Sequence, residues 1–155
     1  MKDMLVHLYN LDFTDKMPSK DIKIVRVLSP NSDKVIAFVE ANFSKGWAAE
    51  VKAALYKSQP TCFVALDQQN KIVGFSAYDA TAKGYFGPIG VDQTLRGKNI
   101  GKALILHTME AMYHDGYGYA VIGGAGDGVL AFYRKTVDAM DIDKPGNVYD
   151  RLIRG

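Results

Sequence analysis

Apolar positions recur along this chain with two different periods, and the switches between them predict most of its elements. Ile22 to Leu28 (IKIVRVL) alternates and is rich in β-branched residues, which predicts a strand. Ser29-Pro30 then supplies an N-cap with proline at the first helical position, so a helix should start there. Val35, Ile36, Phe38, Val39 and Phe43 share one side of that helix, and Trp47, Val51, Ala54 and Leu55 continue a second helical pattern after a break at Gly46. Gln59-Pro60 closes the segment. Thr61 to Asp67 and Lys71 to Ala80 read as strands joined by the polar turn Gln68-Gln69-Asn70, a hairpin. Tyr85 to Val91 (YFGPIGV) predicts a third strand of this group, in which Pro88 cannot donate to a ladder and Gly87 and Gly90 weaken pairing, so a bulge or an open edge is expected.

Helical spacing returns from Asn99 or Ile100 to about His114, ended by Asp115-Gly116. Tyr119 to Gly123 then predicts a short buried strand, Gly124 to Gly128 a flexible turn, and Val129 to Val137 an amphipathic helix. Val148 to Ile153 is expected to add a last strand. Residues 1–20, ending in the turn-like Met17-Pro18-Ser19-Lys20, are expected to form a docked N-terminal arm. Helices between and after strands make this an α/β chain with a mixed sheet and no internal repeat.

At 155 residues the chain has the size of one domain. Hydrophobic residues make up 48% and charged residues 23%, which is the balance of a folded globular chain and excludes disorder, collagen and coiled coil. A net charge of +2 is too small a field to hold nucleic acid or an anionic membrane by bulk attraction, so neither is expected as a partner. No apolar run is long enough to span a bilayer, and His7, Asn10 and Asp12 interrupt the N-terminal apolar stretch before it can serve as a signal peptide; a soluble, cytoplasmic protein is expected. Cys62 is the only cysteine, so no intrachain disulfide forms, and it lies in an apolar strand where a buried, inert thiol is expected. His107 and His114 are separated by about 10.5 Å of helix rise, too far to share one ion, and no metal site is expected.

The chemistry concentrates in Val91-Asp92-Gln93-Thr94-Leu95-Arg96-Gly97-Lys98-Asn99-Ile100-Gly101-Lys102. A strand ends, a glycine-bearing loop turns, and an apolar helix begins. Unpaired amides and the dipole at that helix start favour an anion, Gly97 and Gly101 admit a phosphate close to the backbone, and Arg96, Lys98 and Lys102 add charge. A P-loop is excluded, because Arg96 stands where its first glycine belongs and Ala103 where its magnesium-binding hydroxyl belongs. Gly124-Ala125-Gly126-Asp127-Gly128-Val129 follows a strand and opens a helix, as a dinucleotide fingerprint does, but Val129 replaces the third glycine and little chain remains after it.

FGPIGVDQTLRGKNIGKALI resembles the acyl-coenzyme A signature of the GNAT superfamily of N-acetyltransferases, whose loop reads [RQ]-x-x-G-x-[GA]. Arg96 fills the first position and Gly101 the last, while Asn99 replaces the middle glycine; asparagine tolerates left-handed geometry better than most residues. The order hairpin, bulged strand, loop, helix, strand, helix extends the resemblance over about residues 22 to 140. It implies a mixed, mostly antiparallel sheet splayed at a bulged central strand, with helices on both faces. It also implies acetyl-CoA as co-substrate and direct acetyl transfer to a primary amine of a small molecule or peptide, in an enzyme that could form a homodimer. The backbone from Arg96 through Gly97, Lys98, Asn99, Ile100 and Gly101 to Lys102 would hold the pyrophosphate, and that of Ile89, Gly90 and Val91 would pair with pantetheine and offer an oxyanion donor. Tyr133, in Phe132-Tyr133-Arg134-Lys135, matches the family's F-Y-x-K segment and would protonate the departing thiolate.

The resemblance supplies no base, since Tyr85 and Phe86 stand where some members carry a glutamate. Asp79, Asp92 and Tyr78 are the nearby candidates, and none is assigned. Phe43, Trp47 and Tyr56 are candidates to line an acceptor pocket. Two other classes stay open: a noncatalytic acyl-CoA sensor that kept the cradle, and a small nucleotide or dinucleotide module built on Gly124 to Gly128.

Overall fold

The computed structural model describes residues 1–155. Seven strands form one sheet: β1 Lys2–His7, β2 Lys23–Arg26, β3 Cys62–Leu66, β4 Ile72–Tyr78, β5 Tyr85–Val91, β6 Tyr119–Ala125 and β7 Met140–Asp141. Four α-helices accompany them: α1 Ser32–Asn42, α2 Lys45–Leu55, α3 Ile100–His114 and α4 Leu130–Val137. The spatial order is β2-β3-β4-β5-β6-β1-β7, and every pairing is antiparallel except β5 with β6.

Period-two alternation sorts side chains to the two faces. Phe63, Ala65 and Val73 join a buried cluster with Leu104, Met109 and Met112 of α3 and with Tyr133 of α4. Cys62 and Val64, the intervening positions of β3, and Phe75 and Ala77 of β4 pack instead with Val35 and Val39 of α1 and Val51 and Leu55 of α2; Val73, of the same parity as Phe75, joins the first cluster where the β3–β4 register slips between Ala65 and Leu66. Both faces are therefore covered by helices, as the resemblance implied.

Four local expectations are corrected. The first residues are no arm: β1 lies inside the sheet between β6 and β7, with Met4 and Val6 fully buried, and Leu8, Leu11 and Phe13 beyond it still pack on the core. The helical break falls at Phe43-Ser44, where Ser44 caps α2 by accepting the Trp47 N–H at 3.0 Å, and Gly46 is an ordinary member of α2. Strand β6 runs on through Gly124 to Ala125, so only Gly126 to Gly128 of the expected turn lies outside it. The tail makes a 3₁₀ turn at Val148–Arg151 rather than a strand, because Asn147 and Asp150 cap each other's backbone.

The pairing of β5 positions the site. Against β4 its register slips between Ser76 and Tyr78, which places a bulge at Gly87-Pro88. Against β6 it pairs only at Tyr85 and Phe86. Beyond Phe86 the two parallel strands separate, and the edge from Gly87 to Val91 faces open space.

Candidate active site

Asp92 opens the loop after β5 by accepting from Thr94 N–H at 3.0 Å, which turns the chain away from the sheet. Gly97 then takes φ +92 and Asn99 φ +59, both in the left-handed region. Asparagine thus performs the turn for which the family's loop uses glycine. None of the backbone N–H groups from Arg96 to Lys102 finds a hydrogen-bond acceptor within the chain, and the first amide of α3 to do so is Ala103, bonded to Asn99 C=O at 3.0 Å. Such a row of bare amides at the start of a fifteen-residue helix can accept an anion.

The three cations of the loop do not act alike. Lys98 pairs with Asp21 at 3.0 Å and holds that carboxyl below the usual carboxylate range, while its carbonyl accepts Ser19 N–H at 3.4 Å. Lys102 pairs with Asp15. Both bridges tie residues 15–21 to the start of α3, so these two side chains brace the loop. Arg96 makes no ion pair and borders a cavity.

That cavity has a volume of about 700 Å³ and fills the gap between β5 and β6. Ile89, Gly90, Val91, Arg96, Gly97, Asn99, Ile100, Gly101, Lys102 and Tyr133 all border it, whereas Lys98 does not. Asp92 N–H bonds back to Val73 of β4 at 2.8 Å, and strand alternation then turns the N–H groups of Ile89 and Val91 to the free edge. Gly90 has no room for a side chain: a Cβ there would lie 2.4 Å from Cζ of Phe43. Gly101 borders Phe132, which a Cβ would meet at 3.5 Å. Gly126 and Gly128, from the glycine segment that resembled a dinucleotide fingerprint, form part of the opposite wall of this same cavity.

Tyr133 is 7% exposed and packs edge-on to Phe86. Its hydroxyl bonds to nothing within the chain, yet no buried side-chain oxygen lacks a partner, so the hydroxyl opens onto the cavity. Burial pushes its pKa up to about 12, which keeps the proton on the phenol at neutral pH.

The base candidates prove to be structural. Asp79 accepts Gly84 N–H at 2.7 Å and Tyr117 hydroxyl at 2.8 Å, closing the turn between β4 and β5. Asp92 caps the loop, and Tyr78 donates to Asp115 at 2.5 Å. Of the aromatic candidates, Trp47 lines the cavity, Phe43 lies on Gly90, and Tyr56 is 65% exposed away from both. Cys62 is buried, and burial raises its thiol pKa to about 12.

Three further residues, Tyr149, Glu50 and Thr81, join this region without any sign of it in the sequence. Tyr149 reaches the cavity wall from the C-terminal turn, its ring lying where a Cβ on Gly124 would be, 2.3 Å from Tyr149 Cδ2. Its hydroxyl donates to Glu50 Oε1 at 2.8 Å, and the same oxygen accepts from Thr81. No local pattern joins positions so far apart in the chain. The Asn147-to-Asp150 spacing of a capping box was the one signal that the tail turns here.

The profile of the acetyltransferase (GNAT) family matches residues 27–137, and the chain belongs to that family. Similar solved structures agree on the fold. The glucosamine N-acetyltransferase region of a fungal multi-domain β-N-acetylglucosaminidase superposes with TM-score 0.74 at 15% identity over 91% of this chain and 19% of that one. A GNAT family N-acetyltransferase from Escherichia coli in complex with CoA gives TM-score 0.52 at 18% identity, over 65% of this chain and 61% of that one. An aminoglycoside acetyltransferase from an uncultured soil metagenomic sample gives 0.57 at 26% identity, over 76% and 88% respectively. The chain spans 19%, 48% and 53% of the length of the first three structural relatives. Comparison with curated proteins finds no match. No helix is long and apolar enough to cross a membrane.

Proposed function

We propose that this chain is an acetyl-CoA-dependent N-acetyltransferase that passes the acetyl group directly to a primary amine of a small molecule or peptide. The observation that carries the reading is the set of unbonded amides from Arg96 to Lys102, in residues that, Lys98 apart, border the same cavity as the free edge of β5 and the Tyr133 hydroxyl. Family membership supports acetyl transfer as the chemistry.

The residues present fit the coenzyme. The amide row with Arg96 suits a diphosphate, and the free N–H groups of Ile89 and Val91 suit an extended chain of amides such as pantetheine. Acetyl-CoA supplies an activated thioester. Either of those β5 N–H groups, aimed at the thioester carbonyl, stabilises the negative charge that grows there on attack. Tyr133, protonated and facing the cavity, donates to the sulfur as the bond to carbon breaks, and the proton shed by the attacking amine, carried by solvent, restores the phenol, so that amine and thioester become amide and thiol. Holding amine and thioester in attack geometry can contribute roughly 7–11 kcal/mol of barrier reduction, with no covalent enzyme intermediate required.

Thermal melting with three ligands tests this. Acetyl-CoA at saturating concentration should stabilise the fold, by about 2.7 kcal/mol at a hundredfold excess over Kd, while NAD and ATP should not. Release of the CoA thiol should then depend on added amine. Stabilisation by NAD alone would favour the dinucleotide reading, and acetyl-CoA binding without turnover of any amine would favour the sensor.

A further inference from the structure

The Glu50 carboxylate is an unusual neighbour for the cavity. Oε1 accepts from Thr81 and from Tyr149, both neutral hydroxyls, and no lysine, arginine or histidine pairs with the group. Oε2 bonds to nothing within the chain, and because no buried polar side-chain atom is left unpartnered it is open to incoming solute. Two hydroxyls thus fix the carboxylate in place and leave its charge unneutralised. Trp47 stands one turn earlier on α2, three residues away and so on the same face, and lines the cavity. A carboxylate oxygen with no partner, one helical turn from an indole that lines the cavity, offers an organic cation a counter-charge and an aromatic ring.

Which nitrogen of an acceptor would go there is decided by acid–base chemistry. An ion pair with a carboxylate favours the protonated amine, and a protonated amine cannot attack a thioester. Glu50 itself does not border the cavity; Tyr149 does, and stands between the carboxylate and the space next to Tyr133. The reacting nitrogen and the one held by Glu50 are therefore different atoms.

We propose that Glu50 and Trp47 bind a second, non-reacting cationic nitrogen of the acceptor, so that the preferred substrates carry two basic nitrogens. This rests on the transferase reading above and names the substrate class of the same site. Tyr149 and Thr81 are positioning residues that aim the carboxylate.

The test compares straight-chain α,ω-diamines with monoamines of matched length as probe acceptors, in the wild type and in Glu50→Gln. The amide oxygen of glutamine still accepts from both hydroxyls, so the fold and its melting shift with acetyl-CoA serve as the control. The wild type should favour the best diamine over its monoamine by roughly tenfold in kcat/KM, expressed in KM, and Glu50→Gln should erase that ratio. Trp47→Leu should reduce the ratio in the same direction. Equal handling of diamine and monoamine by the wild type, or a preference that survives Glu50→Gln, overturns the proposal. Loss of kcat in Glu50→Gln for both amine types also overturns it, by assigning Glu50 to proton removal. Calorimetric titration of the diamines and monoamines is run alongside. Should acetyl-CoA neither bind nor be consumed, the transferase reading fails, and this titration still decides the cation site: tighter diamine binding lost in Glu50→Gln supports it, equal binding refutes it.

Discussion

Gly90 offers a direct physical test of how α1 and α2 are seated on the sheet. An alanine Cβ at this position would lie 2.4, 2.6 and 2.8 Å from Cζ, Cε1 and Cε2 of Phe43, against an optimum of roughly 3.5–4.0 Å between carbons. The ring must withdraw by about 1 Å, yet it is wedged between Trp47 at 5.4 Å, Phe75 at 5.6 Å and Phe38 at 5.9 Å between centroids. Overpacking of this kind costs about 1–3 kcal/mol, so Gly90→Ala should lower stability by that amount. Phe43→Ala alone should cost a few kcal/mol through the cavity it leaves. In the double variant the new methyl enters space the ring has vacated, and the combined loss should fall short of the sum by about 1–3 kcal/mol. Urea unfolding of the four proteins, with m values unchanged, measures this coupling. Additivity to within about 0.5 kcal/mol would refute the contact and with it the placement of the α1–α2 corner that carries Trp47.

Tyr133→Phe should lower turnover by about 100-fold or more while leaving acetyl-CoA affinity nearly unchanged; equal losses in both would remove Tyr133 from the chemistry. The same variant has a pH signature. With a folded pKa of about 12 against an ordinary value of 10, the Tyr133 contribution to stability is fully present below about pH 10 and is lost as pH rises through 12, so Tyr133→Phe should show a shallower alkaline fall in urea midpoint. Gly101→Glu should abolish the melting shift with acetyl-CoA by putting bulk and negative charge against the diphosphate, whereas Gly101→Ala, whose Cβ meets Phe132 at an ordinary 3.5 Å, should retain it. Cys62 should react with thiol reagents only as fast as the chain unfolds, and rapid labelling of the native protein would contradict its burial.

The sequence carried the elements whose periodicity is local. Strand β5 was readable to its last residue, and the helix after the loop was readable because Gly97 and Asn99 precede an unbroken apolar spacing. Strand β1 was also present as a period of two in Met4 and Val6, carried on by Leu8 just beyond it, but Leu5 and the charged Lys2 and Asp3 obscured it. Asp3 is polar there for a tertiary reason: it accepts the N–H groups of Gly124 and Val148 at 2.8 and 3.2 Å. The break between α1 and α2 was signalled by Ser44 as a cap, and Gly46 drew attention from it. The cradle could be read because one continuous segment builds it. Of the groups across the cavity only Trp47 could be read, whereas Glu50, Thr81 and Tyr149 come from separate parts of the chain and meet only after the sheet has formed. Gly90 reads as a weak point in its strand and Gly124 as the start of a flexible turn, and the reason for each, as for Gly123, appears only with Phe43, Tyr149 and Val148 lying on them.

The structure of the acetyl-CoA complex addresses the coenzyme site most directly. The diphosphate should be held by main-chain N–H groups of the loop preceding α3, with the thioester carbonyl within hydrogen-bond reach of Ile89 or Val91 N–H and the sulfur facing Tyr133. A coenzyme bound with its diphosphate elsewhere, or a loop that turned its carbonyl oxygens toward the ligand, would contradict the account.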